Sequence, residues 1–210
     1  LFGIAPGAAL GAVLSFWLGF AASTYLLPIF ALMGAGGAMA LLALMAGRDA
    51  GVAMFTLAGL MISSLAGAIM SLAISLSPTP FAMSEIVIWL MGALADRSWR
   101  EVWIAAPLTF AGIGFLLAAQ RDLDALTLGD AAARSLGVDP KRLKYLMIVG
   151  VGLTVGASVA VAGVIGFVGL IVPHLMRPLT DRRPSSLILP SATAGALLLL
   201  VADVVCRIVP

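Results

Sequence analysis

The chain has 210 residues, of which 62% are hydrophobic and 10% are charged, and its formal net charge is +2. Soluble domains have about 45–50% apolar and about 25% charged residues, so this composition excludes an ordinary soluble fold and indicates a protein embedded in a lipid bilayer. The small net charge gives no support for nucleic-acid binding. The single cysteine, Cys206, excludes an intrachain disulfide and a multi-cysteine metal site.

Six apolar runs follow one another along the chain, at residues 3–22, 26–46, 52–76, 99–118, 146–172 and 187–209. Backbone groups in lipid must be hydrogen-bonded internally, so each run of about 20 residues predicts a membrane-spanning helix. The 146–172 run is too long for one span and closes with Pro173, which predicts a helix, a break and a second short helix. The predicted fold class is therefore all-α, a polytopic transmembrane bundle with roughly seven to eight helices in this chain. Because the chain starts inside one apolar run and stops just after another, we expect further helices on both sides.

Residues 77–100 form a shorter and more polar stretch between two of these runs. Its apolar part, Ile86 to Leu94, is too short to cross a bilayer, so we expect it to lie at the interface or to re-enter the membrane. Trp89, Trp99 and Trp103 flank it as interfacial anchors would.

Small residues recur at four-residue spacing in two of the runs, at Gly3, Gly7 and Gly11 and again at Gly152, Gly156 and Ala160. This pattern lets transmembrane helices approach closely. It predicts a compact bundle and carries no information about function.

Residues 120–145 form the one sizeable hydrophilic segment. Positive charge is concentrated on the cytoplasmic side of membrane proteins, which places this segment in the cytoplasm. Alternation outward from it puts Arg97, Arg100 and Arg207 on the opposite side. Nine of the 12 lysines and arginines are then cytoplasmic: Arg48, Arg121, Arg134, Lys141, Arg142, Lys144, Arg177, Arg182 and Arg183.

The 120–145 segment is either a solvated loop or a structured element, and its turn chemistry favours structure. Thr127, with Asp130 three positions later, fits a helix N-cap, and Gly137 is placed to end that helix. Asp139 and Pro140 fit the start of a second one. We predict two short helices joined at a glycine turn, a shape suited to docking on another protein. Leu128, Leu136 and Val138 would be the apolar contacts, and Asp130 and Arg134 either the polar contacts or an internal pair.

The chain resembles a known family in three places: LGDAAARSLGVDPKRL, VAVAGVIGFVGLIVPHLMR and LLLLVADVVCR. These stretches are similar to the FecCD-type permeases, the membrane subunits of ATP-binding-cassette importers for iron-siderophores, heme and vitamin B12. The resemblance covers nearly the whole chain. It implies one permease domain over residues 1–210, of the vitamin B12-type (type II) fold, with about ten transmembrane helices in the full-length protein. It also implies a multi-pass protein of the bacterial inner membrane.

The resemblance assigns partners and contact residues. A second copy of the chain would form the homodimer, two ATPase subunits would bind ATP and Mg, and a periplasmic binding protein would deliver the substrate. The 120–145 segment matches the family's coupling helices, with its contacts at Leu128, Gly129, Asp130, Arg134, Ser135, Leu136, Gly137 and Val138. Arg207, with Arg100, would face the binding protein. Arg48, Asp49, Gly51 and Val52 would belong to the cytoplasmic gate. Apart from the resemblance, Met54, Met61, Ser63 and Ser64 are expected to line the pathway, with ordinary apolar packing as the alternative for the methionines and bonds to neighbouring helices for the serines.

Two of these assignments have structural alternatives. Arg207 lies four residues after Asp203, so the two residues are equally placed to form an internal ion pair. His174, the one histidine, invites a role as heme ligand. It belongs, however, to a PHxxR element that such permeases carry whatever their substrate, so we expect a structural role.

The substrate expected from the resemblance is heme, because IWLMGALADRSWREV is more similar to the heme-importing branch than to the others. Another iron chelate and cobalamin are the alternatives. The chain itself is expected to bind no cofactor and no metal, and to have no catalytic residue. It contains no GxxxxGK[ST] motif, so ATP hydrolysis falls to the partner.

A membrane enzyme and a secondary transporter are the two alternatives to a permease. A membrane enzyme would need an intramembrane cluster of acids or histidines, which one histidine and few mid-span charges do not provide. A secondary transporter usually has ionisable residues near the midplane, or broken helices around a site. The break predicted before Pro173 favours that class, and the uncharged midplane disfavours it.

Overall fold

The structure is a computed structural model that describes residues 3–20, 25–45, 52–77, 79–95, 97–181 and 183–208, except for the side chains of Val52 and Asp130. Within these ranges the secondary structure is helical, with no strand. The α-helices are α1 Ile4–Trp17, α2 Leu26–Met45, α3 Val52–Ser75, α4 Pro80–Leu90, α5 Trp99–Ala118, α6 Gln120–Leu126, α7 Asp130–Ser135, α8 Pro140–Ala162, α9 Val168–Met176 and α10 Pro184–Ile208. A 3-10 turn at Arg177–Leu179 follows α9.

Five of these helices, α2, α3, α5, α8 and α10, are long and apolar enough to cross a bilayer. They correspond to five of the six predicted runs, which confirms the all-α transmembrane fold class. The first run is shorter than predicted, because α1 ends at Trp17 in a glycine-terminated turn. Gly19 has φ +80°, and the Phe20 N–H donates to the Ser15 carbonyl at 2.9 Å, the pattern that closes helices at a left-handed glycine.

The chain divides into two compact units. The first contains residues 1–112 and 148–165, and the second contains residues 113–147 and 166–210. The helices α5 and α8 each contribute to both units.

The first unit is built on a close crossing of α1 and α2. A β-carbon added to Gly34 of α2 would overlap the backbone of Gly7 and Gly11 in α1. Small apolar residues, including Ala8, Ala12, Ala31 and Ala35, fill the space around this crossing. Gly7 and Gly11 of the predicted pattern therefore allow this close approach to Gly34, whereas Gly3 lies against Gly59 and Ile62 of α3.

The second predicted glycine pattern brings α8 onto α2. A β-carbon on Gly152 would overlap the side chain of Met39, and one on Gly156 would lie 2.9 Å from the β-carbon of Ala35. Both predicted small-residue faces thus pack on the same helix.

The short helix α4 begins earlier than its apolar part suggested. Thr79 caps it by accepting a hydrogen bond from the Ala82 N–H at 3.1 Å, and Pro80 occupies the first helical position. Trp89, expected as an interfacial anchor, is only partly exposed. Its ring lies 6.1 Å from that of Phe16 and packs against the buried core, because α4 folds back onto α1. Trp99 and Trp103 are exposed.

The break predicted within residues 146–172 is present between Ala162 and Val168. The Ala162 carbonyl, at the end of α8, accepts a hydrogen bond from the Ala93 N–H at 2.8 Å. Gly163 has φ +75°, and a β-carbon there would overlap the Trp89 carbonyl. The segment after α4 therefore satisfies the end of α8, as apolar surroundings require.

Candidate functional site

The 120–145 segment is helical rather than a solvated loop, with α6, α7 and the first turns of α8 following one another closely. The predicted N-cap role of Thr127 is wrong. Thr127 is the C-cap residue of α6, and its hydroxyl donates to the Asp124 carbonyl at 2.6 Å. The N-cap of α7 is Gly129, at φ +94°. The sequence spacing missed this because a threonine hydroxyl can serve either end of a helix.

The other two predicted caps are confirmed. Gly137 has φ +86° directly after α7, and the Asp139 carboxylate accepts the Lys141 N–H at 2.9 Å at the start of α8. The second short helix, however, is not separate. The helix that starts at Pro140 continues to Ala162, so the turn after Gly137 leads directly into a membrane-spanning helix.

A small apolar core holds the 120–145 segment together. Ala119, Leu143 and Leu146 are buried, and Leu123, Leu126 and Val138 pack against them. Val138 was predicted as an outward contact, and the structure turns it inward instead. Because Ala119 directly follows α5 and Leu143 and Leu146 lie on α8, this core fixes the segment to those two helices.

Two leucines on this segment point away from that core. Leu128 and Leu136 are each 66% exposed, although leucine is a strongly apolar side chain. Arg134 and Ser135 are also exposed, and the Ser135 hydroxyl donates to the Ala131 carbonyl within α7. The side chain of Asp130, and with it the predicted pair with Arg134, lies outside the described residues. The outer surface thus combines apolar and cationic groups.

A long-range contact joins α6 to the start of α10. The Asp124 carboxylate accepts the Ser185 backbone N–H at 2.9 Å and the Ser185 hydroxyl at 2.5 Å. These bonds, the hydroxyl first, lower the pKa of Asp124, and nearby Arg183 adds to the effect while burial opposes it. The carboxylate is therefore charged at neutral pH, and its contribution to stability is lost only as the pH falls through this lowered pKa. Sequence reasoning missed the contact, because 61 positions separate its partners.

The predicted docking arginines each have a local partner. The Arg207 guanidinium lies 2.8 Å from the Asp203 carboxylate, and the two side chains are 59% and 26% exposed. The internal ion pair is therefore formed. The Arg100 guanidinium lies 5.9 Å from the ring centre of Tyr25, a cation–π distance.

The predicted pathway residues lie on α3. Met54 and Met61 are 52% and 61% exposed, and with Leu57 and Leu65 they form one apolar stripe at three- or four-residue spacing. Ser64 is exposed beside this stripe, while the Ser63 hydroxyl is half-buried and donates to the Gly59 carbonyl at 2.8 Å.

Two further predictions concern the gate and a metal site. Arg48, Asp49 and Gly51 lie outside the described residues, as does the side chain of Val52. His174 lies in the last turn of α9 and is exposed. In the part of the chain that the structure describes, no group of three or more His, Cys, Asp or Glu residues is arranged to hold a metal ion.

Known proteins resemble the chain along its whole length. Vitamin B12 import system permease proteins BtuC from Salmonella paratyphi A and Salmonella typhimurium are each 35% identical over 212 residues. The matches cover 99% of this chain, which spans 64% of the length of these curated relatives. A solved structure described as an inward-facing conformation of the metal-chelate ABC transporter type matches with a TM-score of 0.92 and 32% identity, over 100% of this chain and 67% of the other. The FecCD transport family matches residues 1–210.

Proposed function

Since the chain belongs to the FecCD transport family, we propose that it is the permease subunit of an ATP-binding-cassette importer. It moves heme, or a related iron chelate, from a periplasmic binding protein to the cytoplasm. Access to the pathway alternates between the two sides of the membrane, driven by ATP hydrolysis in a partner subunit. The chain supplies the path and the mechanical contacts and has no ATPase site of its own.

The observation that carries this proposal is the pair of exposed leucines, Leu128 and Leu136, on a segment that an apolar core fixes to α5 and α8. Outside the membrane-spanning helices, where lipid does not cover them, exposed large apolar side chains mark a candidate docking surface. A rigid docking surface also suits force transfer, because a displacement imposed on it is passed to the helices that carry it. Its occupant would be one of two ATPase subunits.

The exposed stripe of α3 supports a second contact, with another copy of the chain. Its apolar residues are each more than half exposed, and Ser64 adds a polar group beside them. A homodimer with the pathway at its interface would cover this stripe. Met54 and Met61 would then supply flexible, polarizable surface to an apolar substrate.

Cobalamin is the second candidate substrate, and the relatives favour it, because they are named as vitamin B12 import permeases. Heme is favoured by the 88–102 stretch and by the exposed methionines of α3. Both ligands are large metal macrocycles, but cobalamin carries amide side chains and a nucleotide tail, so an apolar dimer interface would suit the flat heme better.

Reconstituted uptake tests the proposal and separates the substrates. The full-length permease is placed in liposomes with its ATPase subunit and binding protein, and uptake of heme, cobalamin and a ferric siderophore is measured with and without ATP. We expect ATP-dependent uptake of heme. Uptake of cobalamin alone would move the assignment to the second candidate, and uptake that persists without the ATPase subunit would favour a secondary transporter.

The Asp203–Arg207 pair allows docking and internal pairing to be separated. If Arg207 binds the acidic face of a binding protein, Arg207→Ala should weaken docking by about tenfold, as expected for loss of one interfacial charge pair. The Asp203→Asn variant removes a competing carboxylate and should leave docking equal or tighter. Binding-protein affinity for the permease in nanodiscs measures both. Equal weakening by the two variants would mean that the intact pair, and not Arg207 itself, supports that face.

A further inference from the structure

We propose that Asp124 is a positioning residue that links the ATPase-facing segment to α10, so that a displacement of the segment moves α10 with it. This inference rests on the proposed function, because it assigns a transmission role within the same ATP-driven cycle. Asp124 was not among the residues that the sequence motifs single out.

The contact has the chemistry of a helix cap supplied by another helix. The first N–H groups of an α-helix lack partners within the helix, and the positive end of the helix dipole lies there. The carboxylate of Asp124 accepts the Ser185 N–H, in the first turn of α10, and binds the same residue's hydroxyl through its other oxygen. A charged acceptor bound through both oxygens fixes direction as well as distance.

On one side of this contact stands the rigid part of the segment. Leu123 and Leu126 flank Asp124 on α6 and pack on the core that also holds Val138. The backbone then continues without a gap, because the Gly129 N–H donates to the Leu126 carbonyl at 3.0 Å and the Ala133 N–H to the Gly129 carbonyl at 2.9 Å. Force applied at Leu128 or Leu136 therefore reaches Asp124 through hydrogen-bonded backbone.

On the other side of the contact is α10, a long helix that contacts α9 as well as α6. Its 25 residues extend from Pro184 to Ile208, and none of them is buried among the described residues. Ser185 and Arg207 are 22 positions apart, about 33 Å along a helix that rises about 1.5 Å per residue. A displacement transmitted to Ser185 would therefore move the N-terminal end of α10, and the Asp203–Arg207 ion pair lies at the C-terminal end of the same helix.

The first test compares Asp124→Ala with Asp122→Ala in the full-length permease assembled with its ATPase subunit and binding protein. Asp122 is a carboxylate on the same helix and outside the proposed contacts. We expect Asp124→Ala to assemble and to hydrolyse ATP, while the substrate transported per ATP falls about fivefold or more, within the range of coupling between distant sites. Asp122→Ala should keep the wild-type ratio. A purely structural role would instead lower assembly and leave the ratio unchanged in the complexes that form.

Asp124→Asn keeps one carbonyl oxygen for the Ser185 N–H and should fall between the wild type and Asp124→Ala. This variant also covers the case in which Asp124→Ala does not fold. A wild-type transport ratio in Asp124→Asn together with failed folding of Asp124→Ala would overturn the transmission role.

The second test restores the link by another bond. Asp124→Cys and Ser185→Cys are combined in a Cys206→Ser background, and the two thiols are joined by a short cleavable bis-thiosulfonate linker. Before cross-linking we expect the lowered ratio of substrate transported per ATP that Asp124→Ala shows. Cross-linking should restore the wild-type ratio, and cleavage of the linker should lower it again. A cross-linked protein that transports no more substrate per ATP than the same protein without the cross-link would overturn the proposal. Absence of ATP-dependent uptake in the wild-type complex would instead overturn the proposed function, and this inference with it.

Discussion

A permease carrying both Leu128→Glu and Leu136→Glu is expected to lose its ATPase subunits and, with them, ATP-dependent uptake. Each leucine is 66% exposed in the isolated chain, so glutamate costs the permease fold little. In the complex, the same positions would bury a charge in an apolar contact. Central interface residues cost about 2 kcal/mol or more each when lost, and two of them, at about 4 kcal/mol together, correspond to a fall in affinity of about a thousandfold.

The measurement is binding of the ATPase subunit to permease in nanodiscs, with the thermal unfolding midpoint of each variant recorded alongside. Leu128→Met with Leu136→Met is the matched control, because it keeps volume and apolar character and should bind like the wild type. Retained ATPase binding by the double glutamate variant would show that this surface is not the docking site. A lowered unfolding midpoint would show instead that the leucines stabilise the permease itself.

Gly34→Ala is expected to destabilise the permease strongly, although alanine is the better helix former. Alanine in place of glycine inside a helix gains up to about 1 kcal/mol from propensity alone. At Gly34, however, the new β-carbon overlaps the Gly7 carbonyl and lies 3.0 Å from the Gly11 α-carbon. Both obstacles are backbone and cannot rotate away, so the helices must separate, at the upper end of the about 1–3 kcal/mol that overpacking costs.

Two glycines of the same helix are matched controls for this prediction. A β-carbon on Gly36 or Gly37 meets no atom within 4 Å, so Gly36→Ala and Gly37→Ala should gain propensity without a clash. We expect the unfolding midpoint in detergent to fall by several degrees for Gly34→Ala, since about 1 kcal/mol shifts it by about 2–4 °C in a chain of this size. It should stay level or rise for the two controls. A drop of equal size in all three would mean that α2 needs glycine for another reason than this crossing.

Periodicity and composition were sufficient to predict the helical spans, because the bilayer imposes one length and one hydrogen-bonding solution on every crossing segment. Five runs became long apolar helices, and the break before Pro173 is present. The family resemblance is confirmed over residues 1–210. Together with the spans, it also confirms a multi-pass protein of the inner membrane. The heme assignment and the partners stay proposals.

Local chemistry predicted the 120–145 segment only in part, and the errors share a cause. Thr127 was assigned to the wrong helix because it ends α6, and Val138 to the wrong face because it packs on the same core as the leucines of α6. With only seven residues, α6 has no clear periodicity that would predict it from the sequence. The Asp124–Ser185 contact depends on tertiary structure and has no signature at any short spacing. Val138 is turned inward by packing on a core whose members are spread from Phe115 to Met147, which local sequence spacing does not reveal.

The close crossing of α1 and α2 has a consequence for biogenesis. With 14 residues, α1 is about 21 Å long, short of the hydrocarbon thickness of about 30 Å. On its own it is therefore a weak substrate for lateral release from a translocon. Eight residues separate α1 from α2, which has 20 residues. The backbones of the two helices are in close contact at Gly34. We therefore expect α1 and α2 to enter the lipid together as one helical hairpin. Stable insertion of α1 would then have to wait until α2 has been synthesised.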